Sequence, residues 1–110
     1  MNIEDLAEYG ANVEEGLNRC VGNEGLYLRL VGQVKDDEHF EALETAIGEG
    51  RLDDAFEAAH SLKGSLGNLS LTPLYEPMVE ITELLRARTE TDYTPLLDVI
   101  REQRAKLVAL

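Results

Sequence analysis

The sequence contains no tryptophan, one cysteine, three prolines, few aromatic residues and no apolar run longer than a few residues. A lone cysteine, Cys20, cannot close an internal disulfide and has no second thiol for a zinc knuckle, so it reads as a small buried apolar residue. The short apolar runs exclude a membrane-spanning helix. The N-terminal stretch Met1-Asn2-Ile3-Glu4-Asp5 carries acid where a signal peptide would carry Lys or Arg, and a cytoplasmic location is expected. Positive charge is scarce as well: ten Lys and Arg stand against 22 Asp and Glu, a formal charge of −12. A surface this acidic repels phosphate backbones and anionic lipid, and no basic cluster interrupts it, so neither nucleic acid nor membrane is an expected partner. The phosphate-cradling loops of nucleotide enzymes, G-x-x-x-x-G-K-[ST] and G-x-G-x-x-G, are missing too, and Gly48-Glu49-Gly50 reads as a turn closing a helical pattern.

With 44% apolar and 29% charged residues, the 110-residue chain can build a core and fits one domain. Its apolar spacing is helical nearly throughout. Leu74, Met78, Ile81 and Leu85 recur at steps of four, three and four, as do Leu96, Ile100, Gln103 and Leu107 with one polar member. Phe40, Leu43 and Ile47 mark a shorter segment, and Leu26, Leu30 and Val34 another. No strand alternation stands out, so the class is all-α.

Local chemistry places the breaks. Gly22-Asn23 precedes a helix opening at Glu24, Asp36 is positioned to cap a segment from Asp37 to Ile47, and Asp53 to cap a helix running to about Leu69. Thr72-Pro73 opens the next helix and Pro95 the last. Pro77 removes a donor that the first full turn would use, which predicts a kink or tight turn between Pro73 and Pro77. In residues 1–23, Ile3, Leu6 and Ala7 suggest one short helix and Val13, Leu17 and Val21 a second, with a break at Gly10-Ala11-Asn12. Four longer segments in residues 24–110, joined by short connections, suit an antiparallel four-helix bundle preceded by those short N-terminal helices.

The segment from Asp53 to Leu69 carries the chemistry. Its apolar stripe is Leu52, Ala55, Phe56, Ala59, Leu62, Leu66 and Leu69. His60 lies beside that stripe with its ring towards solvent, and Lys63 follows on the same face. Gly64 and Gly67 each lower helix stability by about 1 kcal/mol relative to alanine, which calls for a reason. Gly64 removes bulk next to the imidazole, and Gly67 extends the clearing. The eighteen residues from Ala58 to Tyr75 contain no carboxylate. An anion at His60 would therefore meet a nearby ammonium and few negative neighbours on its own helix.

The run Ala59-His60-Ser61-Leu62-Lys63-Gly64-Ser65, followed by Asn68-Leu69, Leu71 and Leu74, resembles the signature of histidine-containing phosphotransfer (HPt) domains of two-component phosphorelays. The resemblance implies that His60 is the phosphoacceptor, that Lys63 neutralises the phosphoryl group, and that Gly64 gives a partner access, with Ser61, Ser65 and Gly67 around it as a docking surface. Asn68 falls where members vary. Thr82 occupies the place of a glutamine that orients the imidazole in some members, and a threonine reaches less far. Ser70 stands where a glycine is often found. The implied partners are response-regulator receiver domains or a hybrid sensor kinase, with Mg²⁺ supplied by the receiver and no cofactor or kinase activity in this chain.

Starting with Met and carrying no kinase or receiver segment, the chain is expected to be a free-standing, monomeric shuttle. The alternative is a helical interaction module with the same fold and no phosphotransfer, which burial of the His60 ring would favour. A metal or hydrolytic enzyme is disfavoured. His39 sits in the acidic first turn Asp36-Asp37-Glu38, and Ser61 points about 100° away from His60 on a helix, so neither completes a site.

Overall fold

The computed structural model describes all 110 residues, as seven helices and no strand: α1 (Ile3–Tyr9), α2 (Val13–Arg19), α3 (Glu24–Lys35), α4 (His39–Gly48), α5 (Leu52–Asn68), α6 (Thr72–Arg86) and α7 (Thr94–Val108). The all-α class and the bundle are as the periodicity indicates. Residues 24–110 hold five helices, however, not four longer segments. The bundle consists of α4 to α7, and α3 joins α1 and α2 outside it. No helix is long and apolar enough to cross a membrane.

α5 is the central element, with α4 on one side and α6 on the other. Its inner face, Ala55, Ala58, Ala59, Leu62 and Leu66, is buried, and from α6 the stripe Leu74, Met78, Ile81 and Leu85 meets it. Three of the five inner α5 residues are alanines, whose small side chains let the neighbouring helices approach closely. α7 adds Leu97, Ile100 and Leu107, and α4 adds Phe40, Leu43 and Ala46.

Several helix starts differ from the sequence expectation, each for a visible reason. α4 opens at His39, two residues late, because Asp37 takes up the free amide: its Oδ1 accepts from the His39 N–H at 2.8 Å and meets Nδ1 at 2.7 Å. Asp36 ends α3 instead. α5 opens at Leu52 with Arg51 at its cap position, and Asp53 lies inside the first turn, where it pairs with Arg88 across the bundle at 2.6 Å. The carboxylate still favours the positive helix end, from one position further in. α6 runs without interruption from Thr72 to Arg86, with no tight turn at Pro77. Only the bond from residue 77 to the Pro73 carbonyl is lost, and Pro77 is itself buried against the core together with Leu74 and Met78. Val21 falls outside α2, at φ 56° and 93% exposed.

The N-terminal helices converge on the α5–α6 turn. α5 ends with Leu69 at its cap position and Ser70 in the left-handed region at φ 54°. The Ser70 N–H donates to the Gly67 carbonyl at 3.1 Å and the Leu71 N–H to the Leu66 carbonyl at 3.0 Å, the paired bonds of a Schellman motif. That position normally takes glycine, and a side chain there carries about 1–2 kcal/mol of strain. α2 supplies the compensation. Arg19 donates to Ser70 Oγ at 2.7 Å and to the Gly67 carbonyl at 2.6 Å, while the serine hydroxyl donates to Glu15 at 2.9 Å. α5 has no basic residue in its own last turn, so Arg19 brings the cation that its negative end favours.

Tyrosines fasten the remaining pieces. The Tyr27 hydroxyl of α3 donates to the Leu69 carbonyl at 2.8 Å, Tyr9 of α1 to the Gln103 carbonyl at 3.1 Å, and Tyr93 to the Thr89 carbonyl at 2.6 Å. Burial pushes all three phenols above their ordinary range. Tyr27 also closes over Gly16 of α2, where a Cβ would come within 2.6 Å of the ring.

The Ser70 arrangement makes a specific prediction. Ser70→Ala keeps the left-handed strain and loses both hydroxyl bonds, so it destabilises by about 1–2 kcal/mol. Ser70→Gly loses the same bonds but relieves the strain, and is expected to be more stable than Ser70→Ala by about 1 kcal/mol in urea unfolding. Equal stability of the two variants would contradict the compensation described.

Candidate functional site

A helix buried along one side by Ala59, Leu62 and Leu66 turns its positions 60, 61, 64 and 68 outwards, and the observed exposure follows: His60, Ser61, Gly64 and Asn68 are exposed. Lys63 and Ser65 are half-buried on the flanks.

The imidazole of His60 is stacked on the ring of Phe56, one turn earlier, with centroids 5.6 Å apart and planes inclined by 18°. Phe56 is in turn covered by the guanidinium of Arg86 from α6, whose Cζ lies 4.9 Å from the ring centroid. The stack restrains the orientation of an otherwise exposed side chain. No hydrogen bond within the chain occupies either ring nitrogen of His60, so both remain free for chemistry.

Lys63 reaches α6. Its Nζ lies 3.9 Å from Glu83 Oε1, and the other oxygen of that carboxylate, Oε2, lies 3.3 Å from Arg86 Nε. One carboxylate is thus shared by two cations beside the histidine. On the sequence alone, Glu83 and Arg86 belong to a solvated face and Phe56 to the core stripe. The facing helix therefore brings an acid to Lys63, in addition to the Asp53, Asp54 and Glu57 that the histidine helix itself carries. The Phe56 contact could be inferred from four-residue spacing, but the α6 pair could not, because nothing in the local pattern fixes how two helices are rotated against each other.

Two expected roles are corrected. Gly67 is not a clearing: a Cβ there would approach Tyr75 Cε1 to 2.9 Å, so the glycine admits the Tyr75 ring, and its carbonyl accepts from Arg19. Thr82 is fully buried, and its hydroxyl donates to the Met78 carbonyl one turn back at 2.6 Å. It makes no hydrogen bond to His60 and does not orient the ring. Gly64, by contrast, has nothing within 4 Å of the Cβ it lacks. Ser65 Oγ donates weakly to the Ser61 carbonyl at 3.4 Å.

Next to this face a polar cleft of about 440 Å³ opens between α2, α5 and the start of α6, with Lys63 and Gly64 at its edge and Arg19, Asn68 and Tyr75 further along. His39 is engaged by Asp37, and no group of three His, Cys, Asp or Glu side chains is placed to hold a metal ion. What the site offers is a displayed, stacked imidazole with an ammonium one turn away and open space beside it. That combination suits nucleophilic attack on an electrophile carried by another macromolecule.

In comparison with known proteins, the family model for the Hpt domain matches residues 35–109, the span from the end of α3 through α7. No curated protein and no solved structure matches the chain.

The two site glycines are expected to differ on substitution. Gly64→Ala stabilises the protein by about 0.5–1 kcal/mol, since helix propensity improves and no atom is in the way. In Gly67→Ala the same gain is offset by displacement of Tyr75. Thermal unfolding should rank Gly64→Ala above Gly67→Ala, and the reverse order would remove the close-approach account of Gly67.

Proposed function

The chain belongs to the Hpt domain family, and from that premise we propose that it is a phosphorelay intermediate in which His60 accepts a phosphoryl group from the aspartyl phosphate of a receiver domain and passes it to another receiver. Membership of the family places the chain in the histidine phosphotransfer of two-component signalling, with receiver or kinase domains as partners. The assignment of His60, the direction of transfer and a cytoplasmic setting are our reading. The observation that carries it is the exposure of the His60 ring beside Lys63 and Gly64, since a histidine retained only for packing would be turned inwards.

The geometry supports the following step. The lone pair of the unprotonated Nε2 attacks phosphorus in line, a nitrogen–phosphorus bond forms, and the acyl phosphate oxygen–phosphorus bond breaks with its electron pair leaving on the receiver's aspartate. Returning the group to a second receiver reverses these events. The receiver supplies its own Mg²⁺ and acidic pocket. This chain contributes a ring held in one orientation by Phe56, an ammonium near the developing charge, and the open face at Ser61 and Gly64. Absence of a side chain at Gly64 matters because the partner's loops must come within bonding distance of Nε2.

Incubation with a phosphorylated receiver is expected to add about 80 Da, the mass of HPO₃, in an acid-labile linkage, and His60→Gln is expected to gain none. A His60→Gln protein that gains as much as wild type ends this reading. Lys63→Ala should slow transfer by roughly fivefold, corresponding to about 1 kcal/mol for a partly screened charge. An unchanged rate would remove Lys63 from the site.

A further inference from the structure

Glu83 occupies a place that the phosphotransfer reading does not use. Its carboxylate approaches Lys63 at 3.9 Å and Arg86 at 3.3 Å, and Arg86 also lies over the ring on which His60 is stacked. A chain of contacts therefore runs from His60 through Phe56 of α5 and Arg86 and Glu83 of α6 back to Lys63 of α5. At 3.9 Å the contact between Lys63 and Glu83 is an ion pair and not a hydrogen bond, so no directional bond is lost if the ammonium moves. Lys63 is the more enclosed partner at 25% side-chain exposure, against 54% for Glu83.

We propose that Glu83 is a positioning residue that acts through Lys63 as an electrostatic brake, holding the ammonium in the unloaded state and opposing the phosphoryl group that replaces it there. The inference rests on His60 being the phosphoacceptor. A phosphoryl group arriving at the ring competes with the Glu83 carboxylate for the same cation, and the carboxylate repels it as well. Both effects disfavour the loaded state, and both favour giving the group away. Arg86 moderates the brake, because it draws the carboxylate towards itself and away from Lys63.

Phosphoramidate provides a test that needs no protein donor. Its phosphorus–nitrogen bond breaks with the electron pair leaving as ammonia, the Nε2–phosphorus bond forms, and the ring proton left on Nδ1 passes to buffer. At low salt Glu83→Gln is expected to be phosphorylated about three- to fivefold faster than wild type and to hold the group longer, by the size of a half-exposed charge. The difference should shrink below about twofold near 1 M salt, where the screening length is about 3 Å. Glu80→Gln, which removes the same charge from α6 at a position without an ion pair, should change the rate by less than about 1.5-fold. Arg86→Gln should slow it about twofold. Equal rates for Glu83→Gln and wild type at low salt, an equal gain in Glu80→Gln, or a gain indifferent to salt would each overturn the brake while leaving His60 as acceptor. Failure of wild type to form any phosphohistidine would instead remove the acceptor assignment and the brake together.

Discussion

Burial of one face of α5 is the constraint on which the rest depends. Ala55, Ala59, Leu62 and Leu66 are locked between α4 and α6, and a helix fixed on its inner side has no freedom to choose which residues face outwards. His60 and Gly64 are displayed because the 3.6-residue period leaves them opposite the core. The reproducible placement of the His60 ring is thus inherited from hydrophobic packing and refined by one aromatic stack on Phe56.

Electrostatics adds the second layer. Cations are few in this chain, and eight of the ten Lys and Arg residues are paired with carboxylates; Arg29 and Lys35 are the exceptions. Near His60 no positive charge is therefore idle, since Lys63 and Arg86 both face the Glu83 carboxylate. Surface pairs of this kind contribute little to stability. The pair between Lys63 and Glu83 is the longest of them, at 3.9 Å, and so the easiest to exchange.

Outside the residues that match the family model, the chain adds a bracket of three short helices. Arg19 and Glu15 reach from α2 to the left-handed Ser70, and Tyr27 from α3 to the Leu69 carbonyl, so the end of the histidine helix is held by segments 42 to 55 positions away in sequence. A serine in place of the glycine usual at such a turn is tolerated because its hydroxyl is fully engaged. Viewed from the sequence it is an anomaly; in the fold it is the anchor for α2.

Much of this was legible before the fold was known. Periodicity placed α5, α6 and α7 within one or two residues, and helix geometry put His60, Lys63 and Gly64 on an outward face, because both follow from local spacing along one chain segment. Helix starts were less legible: Asp36 and Asp53 have capping chemistry, yet Asp37 and a cross-bundle bond to Arg88 decided the outcome. What only tertiary structure decided is how neighbouring helices are rotated and where distant segments meet. It turned Thr82 inwards and brought Glu83 to Lys63, gave Gly67 to Tyr75, and carried Arg19 to the end of α5. The physical reason is range: propensity and amphipathic spacing act over one or two turns, whereas these contacts arise from packing the whole set of apolar faces at once, a sum that no single segment contains.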